Sequence, residues 1–326
     1  MKPFSYVRPA DERTAIAAAS AGGASFLAGG TTLVDLMRLE VMTPSAVVDL
    51  GRVPLTRIDR AGDGLRIGAM VRNTDVALHP AVVERYPLLA QALLAGASQQ
   101  VRNMASVGGN LLQRTRCPYF RDLASACNKR TPGAGCAALD GYTRSHAILG
   151  TSESCIATHP SDMCVALVAL DAVVHTRSGG RERAIPIADF HTLPGDHPEV
   201  ENALEPGELI THIELPPSPF AAHAQYVKVR DRAAFAFALA AAGVGLDVAD
   251  GKIRAARIAL GGVATVPWRA AEAEQALIGQ APNRASFERA AAAALVDPKP
   301  RRDNQFKIGL ARRTIVRALE LAWGQA

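Results

Sequence analysis

Four cysteines, Cys117, Cys127, Cys136 and Cys155, follow one another with the spacing C-x9-C-x8-C-x18-C. Cys164 comes nine residues later, and the rest of the 326-residue chain contains no cysteine. Scattered core thiols would not crowd in this way, so this segment uses sulfur. Four thiolates from one long loop wrap either a [4Fe–4S] cluster or a structural zinc. Zinc sites usually use closely spaced cysteine pairs, which are absent, whereas a cubane offers separate corners to distant ligands. The spacing favours the cluster, with zinc and unliganded redox thiols as the alternatives. Charge points the same way. Residues 114–146 hold Arg114, Arg116, Arg121, Lys129, Arg130 and Arg144 against Asp122 and Asp140, an excess of +4 out of a whole-chain +5. That excess would offset the charge of about −2 on an oxidised thiolate-ligated cubane. Cys164, among Met163, Val165, Ala166 and Leu167, reads as a small buried hydrophobe.

Two double-glycine loops form a second set, Ala28-Gly29-Gly30-Thr31-Thr32 and Ser106-Val107-Gly108-Gly109-Asn110. Glycine lets a backbone approach a ligand closely, and a following helix start offers unpaired N–H groups to an anion. Hydroxyls of Thr31, Thr32 and Ser106 add donors. Together they suggest a pyrophosphate cradle. The formal G-x-G-x-x-A match at Gly133–Ala138 follows Lys129-Arg130-Thr131-Pro132 rather than a strand, so a nicotinamide-dinucleotide fold has little support. His159-Pro160-Ser161-Asp162 either caps a helix or offers Asp162 to nucleotide hydroxyls. In Tyr226-Val227-Lys228-Val229-Arg230, strand alternation puts Tyr226, Lys228 and Arg230 on one face. No nucleophilic triad or metalloprotease pattern is present.

Simple elements position these residues. Helices are expected at Glu12–Ala21 and Thr32–Glu40, with strands at Ser25–Ala28 and Ala46–Leu50. Gly62-Asp63-Gly64 turns a hairpin between Thr56–Arg60 and Leu65–Gly68. Asn73 is expected to cap a helix over Thr74–Leu78, and Pro87–Ala97 to be helical. Residues 114–157 lack periodicity and read as an insertion; structureless loops longer than ~12–15 residues are usually functional. A helix at Asp162–Leu170 precedes strands at Ala172–Thr176, Arg183–Ile187 and Leu209–Leu215. Pro216-Pro217 marks a boundary. Beyond it, strands Phe237–Val248 and Lys252–Leu260 turn at Asp250-Gly251, and helices cover Arg269–Ile278, Ala285–Leu295 and Asn304–Trp323. The divisions are 1–55, 56–216 with the insertion, and 217–326.

Composition excludes whole classes. At 48% hydrophobic residues the chain packs a core rather than staying disordered. Its longest charge-free apolar stretch, Ala233–Leu246, spans 14 residues against the ~20 of a membrane-spanning helix. The basic excess is local and lacks a nucleic-acid module, so no nucleic-acid partner is expected. Asp11 and Glu12 before Ala15–Ala21, with Pro3 and Pro9, do not form a secretory signal. Export would then need a signal-bearing partner, and the cytoplasm is the alternative.

In this order, these segments resemble the FAD-binding medium subunits of the xanthine dehydrogenase / molybdenum hydroxylase family. The matching residues are Leu27–Leu33, Val101–Leu111, Pro160-Ser161-Asp162, Lys228-Val229-Arg230, and Ala259–Ala264 with Pro267 and Arg269. The cysteine insertion is similar to that of flavoprotein subunits of bacterial periplasmic aldehyde oxidases, which bind FAD and [4Fe–4S]. Medium subunits of 4-hydroxybenzoyl-CoA reductases carry a comparable one. The resemblance implies an α+β fold: a two-subdomain FAD-binding domain of the vanillyl-alcohol-oxidase (PCMH) type, then a C-terminal α+β domain with a small antiparallel sheet and helices. It implies FAD on Leu27, Ala28, Gly29, Gly30, Thr31, Thr32 and Leu33, with Ser106, Gly109 and Asn110 across the pyrophosphate. Asp162 would bind a sugar or ribityl hydroxyl, Ile210 would pack near the flavin ring, and Lys228 would approach it. Cys117, Cys127, Cys136 and Cys155 would ligate the cluster. A small [2Fe–2S] subunit, a large molybdenum-cofactor subunit and a small-molecule electron acceptor are the implied partners, in a heterotrimer that oxidises aldehydes. No catalytic acid or base falls on this chain. A zinc-stabilised basic binding module and a stand-alone flavin oxidase are the rival readings; the second would need a substrate base that the sequence does not offer.

Overall fold

Short apolar runs ended by glycine build the first unit of the computed structural model, which describes residues 1–20 and 22–324. Strands β1 (Ser5–Val7), β2 (Ala24–Leu27) and β3 (Ala46–Asp49) form a parallel sheet in the order β1-β3-β2, joined through α1 (Glu12–Ala19) and α2 (Leu33–Arg38). Asp11 caps α1, accepting the Thr14 N–H at 2.8 Å. The helix ends at Ala19, short of the expected Ala21, which lies outside the described residues. Pro3 and Pro9 argue against a strand between them, yet β1 forms at the sheet edge, where proline is tolerated.

Next comes the expected hairpin, β4 (Ile58–Ala61) and β5 (Gly64–Gly68). Five short helices follow: α3 (Asn73–Leu78), α4 (Pro80–Arg85), α5 (Pro87–Ala95), α6 (Gln99–Met104) and α7 (Val107–Leu111). Asn73 does not cap α3. Arg72 takes the cap position, while Asn73 turns inward and leaves its buried Oδ1 unpartnered. The cysteine segment contains one short helix, α8 (Pro118–Arg121), and a bridge pairing Cys127 with Cys136. After it come α9 (Asp162–Ala169), β6 (Val173–Ser178), β7 (Arg181–Pro186), α10 (Ile187–Phe190) and β8 (Leu209–Leu215). The antiparallel sheet runs β4-β5-β8-β6-β7. Leu89 of α5 and Met163 of α9 join one buried cluster with Leu65, Ile67 and Ile213 on its inner face, all at most 1% exposed.

The last unit is an antiparallel sheet ordered β12-β11-β10-β9, from β9 (Ala224–Val229), β10 (Ala240–Ala249), β11 (Lys252–Gly261) and β12 (Trp268–Arg269). Asp250 and Gly251 turn the β10–β11 hairpin with φ of 51° and 70°, as a tight two-residue turn requires. Helices α11 (Ala271–Leu277), α12 (Arg284–Ala293) and α13 (Phe306–Trp323) cover one face. Helix α9 lies on the other, so close that a Cβ at Gly261 would fall 2.7 Å from Val165. Strand β10 is therefore buried on both faces, which explains its charge-free stretch. Two expected boundaries shift. Arg269 lies in β12 rather than a helix, bonded to Glu274 at 3.0 Å, and β10 begins at Ala240 rather than Phe237. The preceding loop is thereby free to cross towards the glycine loops. Among the described residues no helix is long and apolar enough to cross a membrane.

Lys307 at the start of α13 is fully buried and donates to the Gly262 carbonyl at 2.6 Å. Burial, helped by the charge of Arg144, pushes its ammonium down from 10.5 to about 7. Between those values the unfolded chain holds a proton that the folded chain has released. Stability should therefore rise with pH across that window and be lowest below it. Melting the wild type and Lys307→Met in parallel from pH 6 to pH 9 checks this. The wild type should gain on the variant as pH rises; parallel curves would contradict it.

Candidate functional site

The two glycine loops meet. After β2 the chain turns at Gly29-Gly30, with Gly30 at φ +74°, and enters α2. A Cβ on Gly29 would fall 1.9 Å from the Met104 carbonyl oxygen, so the first loop rests directly on the backbone leading to the second. That second loop is the start of α7, where Ser106 Oγ accepts the Gly109 N–H at 3.3 Å. The Ser106 hydroxyl hydrogen remains available to a ligand. A Cβ on Gly109 would lie 3.9 Å from the Ala28 methyl, so the two loops approach each other closely.

A trench passes over these loops. Its first lobe is largely apolar, lined by Phe26, Met42, Leu50, Leu209 and Ile210, together with Ala28–Leu33, Ser106 and Gly109. Thr31, Thr32 and Gly109 continue into a second lobe with Asn73, Gly96, Asn110, Arg116, Asp162, Phe235 and Phe237. Arg116, Asp162, Arg232 and Phe237 lead on to a third, bounded by Cys117, His146, Tyr226 and Gly262. Of the residues expected around FAD, Ala28–Leu33, Ser106, Gly109 and Ile210 border the first lobe, and Asn110 and Asp162 the second. Leu27 stands behind the loop, packed towards Gly30.

Lys228 is outside the lining. Its Nζ, on a side chain 3% exposed, donates to Asp162 Oδ2 at 2.7 Å and to the Ala95 carbonyl at 3.2 Å. Tyr226 OH donates to the other Asp162 oxygen at 2.7 Å, and burial beside that carboxylate pushes its phenol well up. Tyr226 and Lys228 do share a strand face, and that face clamps Asp162. Ser161, not Asp162, caps α9, accepting the Cys164 N–H at 3.1 Å while donating to Asn110 Oδ1 at 2.7 Å. Ile210 and Lys228 therefore serve opposite ends of the site.

Cys117, Cys127, Cys136 and Cys155 line one small pocket, and Cys117 also borders the third lobe. Burial holds the Cys117 thiol up at about 12 and raises Cys136 and Cys155. Among the described residues, groups of three metal-ligating atoms within 4.8 Å of one another occur elsewhere, at His159, Cys164 and His191 and at His175, His212 and Glu214. Sulfurs around one zinc at ~2.3 Å bonds would sit about 3.8 Å apart. The four thiols surround a common space, and no three of their sulfurs lie within 4.8 Å of one another. Cys164 is fully buried in α9. Beside it, His159 Nδ1 accepts the Ser161 N–H at 3.3 Å, which puts the neutral ring's proton on Nε2.

The local charge excess does not survive folding. Arg114 and Lys129 pair with Glu201, Arg121 with Asp35, and Arg144 with Asp231, all from outside the segment. The basic binding module loses its basis with them. Arg130 is spent on the Tyr119 and Phe120 carbonyls at 2.9 and 2.8 Å. Among the described residues Arg116 has no carboxylate partner, its guanidinium 3.5 Å from Thr32 Oγ1 and against the Phe237 ring.

Residues 2–218 match the model of the FAD binding domain in molybdopterin dehydrogenase, and residues 225–322 that of the CO dehydrogenase flavoprotein C-terminal domain. The chain belongs to the FAD-binding medium subunits of the molybdenum hydroxylase family. This flavoprotein subunit is 50% identical to the aldehyde oxidoreductase FAD-binding subunit PaoB of Escherichia coli, over the whole of both chains. It is 27% identical to the carbon monoxide dehydrogenase medium chain of Afipia carboxidovorans, covering 99% of this chain and 98% of that one. Reconstituted CO dehydrogenase from Oligotropha carboxidovorans superposes with a TM-score of 0.78 at 25% identity, covering both chains fully. The expected α+β FAD-binding fold with a C-terminal sheet-and-helix domain is thus borne out.

FAD fits the trench by its shape and by what the trench leaves unpaired. A glycine-lined waist between two lobes suits a pyrophosphate between two ring systems. Asn73 Oδ1, buried and unpartnered, borders the second lobe and awaits a donor. Asn73 and Arg116 are the site residues that sequence reading missed. Asn73 has a cap's identity, and Arg116 is one arginine among several; only long-range packing singles them out.

Proposed function

We propose that this subunit carries electrons, on FAD and a [4Fe–4S] cluster, for a molybdenum-dependent aldehyde oxidoreductase. Aldehyde and water become carboxylic acid on a partner chain, releasing two electrons and two protons. FAD, when bound, supplies the exchange between single-electron and two-electron chemistry. Residues 28–33 with Ser106 and Gly109 would hold the pyrophosphate and the lobe between Asn73, Asp162 and Phe237 the isoalloxazine, so that Ile210, expected near the flavin ring, would instead meet the adenine in the apolar lobe. The observation that supports this is Cys117, which borders both the cysteine pocket and the third lobe, while the third lobe shares Arg116, Asp162 and Phe237 with that second ring site. Cys117, Cys127, Cys136 and Cys155 would ligate the cluster. A small iron–sulfur subunit and a large molybdenum subunit complete the proposed heterotrimer, and the periplasm, reached with a signal-bearing partner, is its proposed compartment.

Turnover tests the role. The purified complex should reduce a dye acceptor with an aldehyde. Once the complex is stripped of FAD, aldehyde should still bleach the partner's centres once, while dye reduction falls to background. Unchanged dye turnover without FAD would overturn the assignment. Fractionation of cells tests the compartment.

A further inference from the structure

Outside the trench, the outer face of the five-stranded sheet holds a second cluster of ligating side chains. His175 on β6 lies directly opposite His212 on β8, their rings stacked 4.2 Å apart. Glu214, two residues along β8 on the same face, lies opposite Arg66 of β5. Its Oε2 is 3.4 Å from His175 Nε2 and its Oε1 is 3.6 Å from His212 Nε2. All three ligand positions lie within 4.8 Å of one another. Both Nε2 atoms are shielded and have no hydrogen-bond partner.

The hydrogen bonding around His212 favours one tautomer. Thr211 Oγ1 donates to the His175 carbonyl at 3.2 Å, so at 2.9 Å from His212 Nδ1 it accepts that nitrogen's proton. The lone pair therefore falls on Nε2, turned towards Glu214. An outer partner that fixes ring and tautomer is the usual support of a metal-ligating histidine. Arg66 orients the carboxylate in the same way, at 2.7 and 3.0 Å to Oε1, and leaves Oε2 to a ligand. Two bonds of about 2.1 Å at a tetrahedral angle separate their donor atoms by about 3.4 Å, close to the spacing found.

We infer that His175, His212 and Glu214 bind one divalent transition-metal ion of the zinc type, held by two imidazoles and one carboxylate. Rotation of the stacked rings brings both lone pairs onto it. The fourth position opens to a polar cavity that shares no lining residue with the trench. Other charges around that cavity are already matched: Arg57 with Asp59, Arg177 with Glu12 and Glu182, and Arg183 with Glu208. Among the described residues Arg66 is the one cation paired with the set, and it weakens the site without filling it.

The test is Zn2+ binding by the intact complex, freed of loose metal by gel filtration and followed by calorimetry. One equivalent should bind to the wild type, and His212→Ala and His175→Gln should each weaken that event at least tenfold. Thermal melts identify a variant that fails to fold, leaving the other to decide. With Cu2+ as the probe, the EPR spectrum should show hyperfine splitting from two imidazole nitrogens. A Zn2+ event that both folded variants retain, no event at all, or a Cu2+ signal with sulfur ligation would overturn the proposal.

Discussion

Gly29→Ala is expected to cost the subunit its FAD. The added methyl would sit 1.9 Å from the Met104 carbonyl oxygen and 2.6 Å from its carbon, both backbone atoms. Backbone cannot swing aside as a long side chain does, so one glycine loop must move off the other. Overpacking of this kind costs about 1–3 kcal/mol, and the displaced loop is the one whose N–H groups would face the pyrophosphate. Affinity for FAD should fall by roughly two orders of magnitude, the upper end of that range. Gly109→Ala is the informative companion. Its methyl meets side-chain atoms alone, Ser106 Oγ at 3.2 Å and the Ala28 methyl at 3.9 Å, so the fold should tolerate it while the cradle fills. Flavin content after purification and FAD titration of the stripped complex give both numbers. Gly29→Ala with full flavin and unchanged affinity would show that the loops do not form the cradle.

Asp162→Asn should produce the second large effect, on stability. Lys228 is a buried ammonium whose one carboxylate contact is Asp162, at 2.7 Å, and the Asp162 side chain is only 10% exposed. Removing one member of a buried pair leaves the other charge uncompensated, at about 3–5 kcal/mol. Tyr226 OH would also lose its charged acceptor. Replacing both charges relieves the penalty, so Asp162→Asn/Lys228→Met should regain most of the loss. Denaturant midpoints of the three proteins check this. Asp162→Asn as stable as the wild type, or a double variant no better than the single, would contradict it.

What the sequence made legible was what neighbours along the chain decide. The glycine loops, the β10–β11 turn and strand Leu209–Leu215 follow from local spacing, and that strand forms over the residues expected of it. The shared face of Tyr226 and Lys228 follows from strand alternation, but their common partner does not. Asp162 is 64 and 66 residues away from them, and only the packing of α9 on β9 and its neighbours joins the three. The +4 segment was readable as composition, yet its counter-charges Asp35, Glu201 and Asp231 come from three distant elements. Asn73 shows the same limit. Its identity suits a cap, and its use is fixed by the lobe that forms around it.

The most direct measurement of the central proposal is iron and flavin per complex, with the wild-type chain and with Cys127→Ser. One thiolate fewer should cost about four irons and their labile sulfides while FAD stays in place. Equal iron in the two preparations would contradict a cluster held by these cysteines beside the flavin.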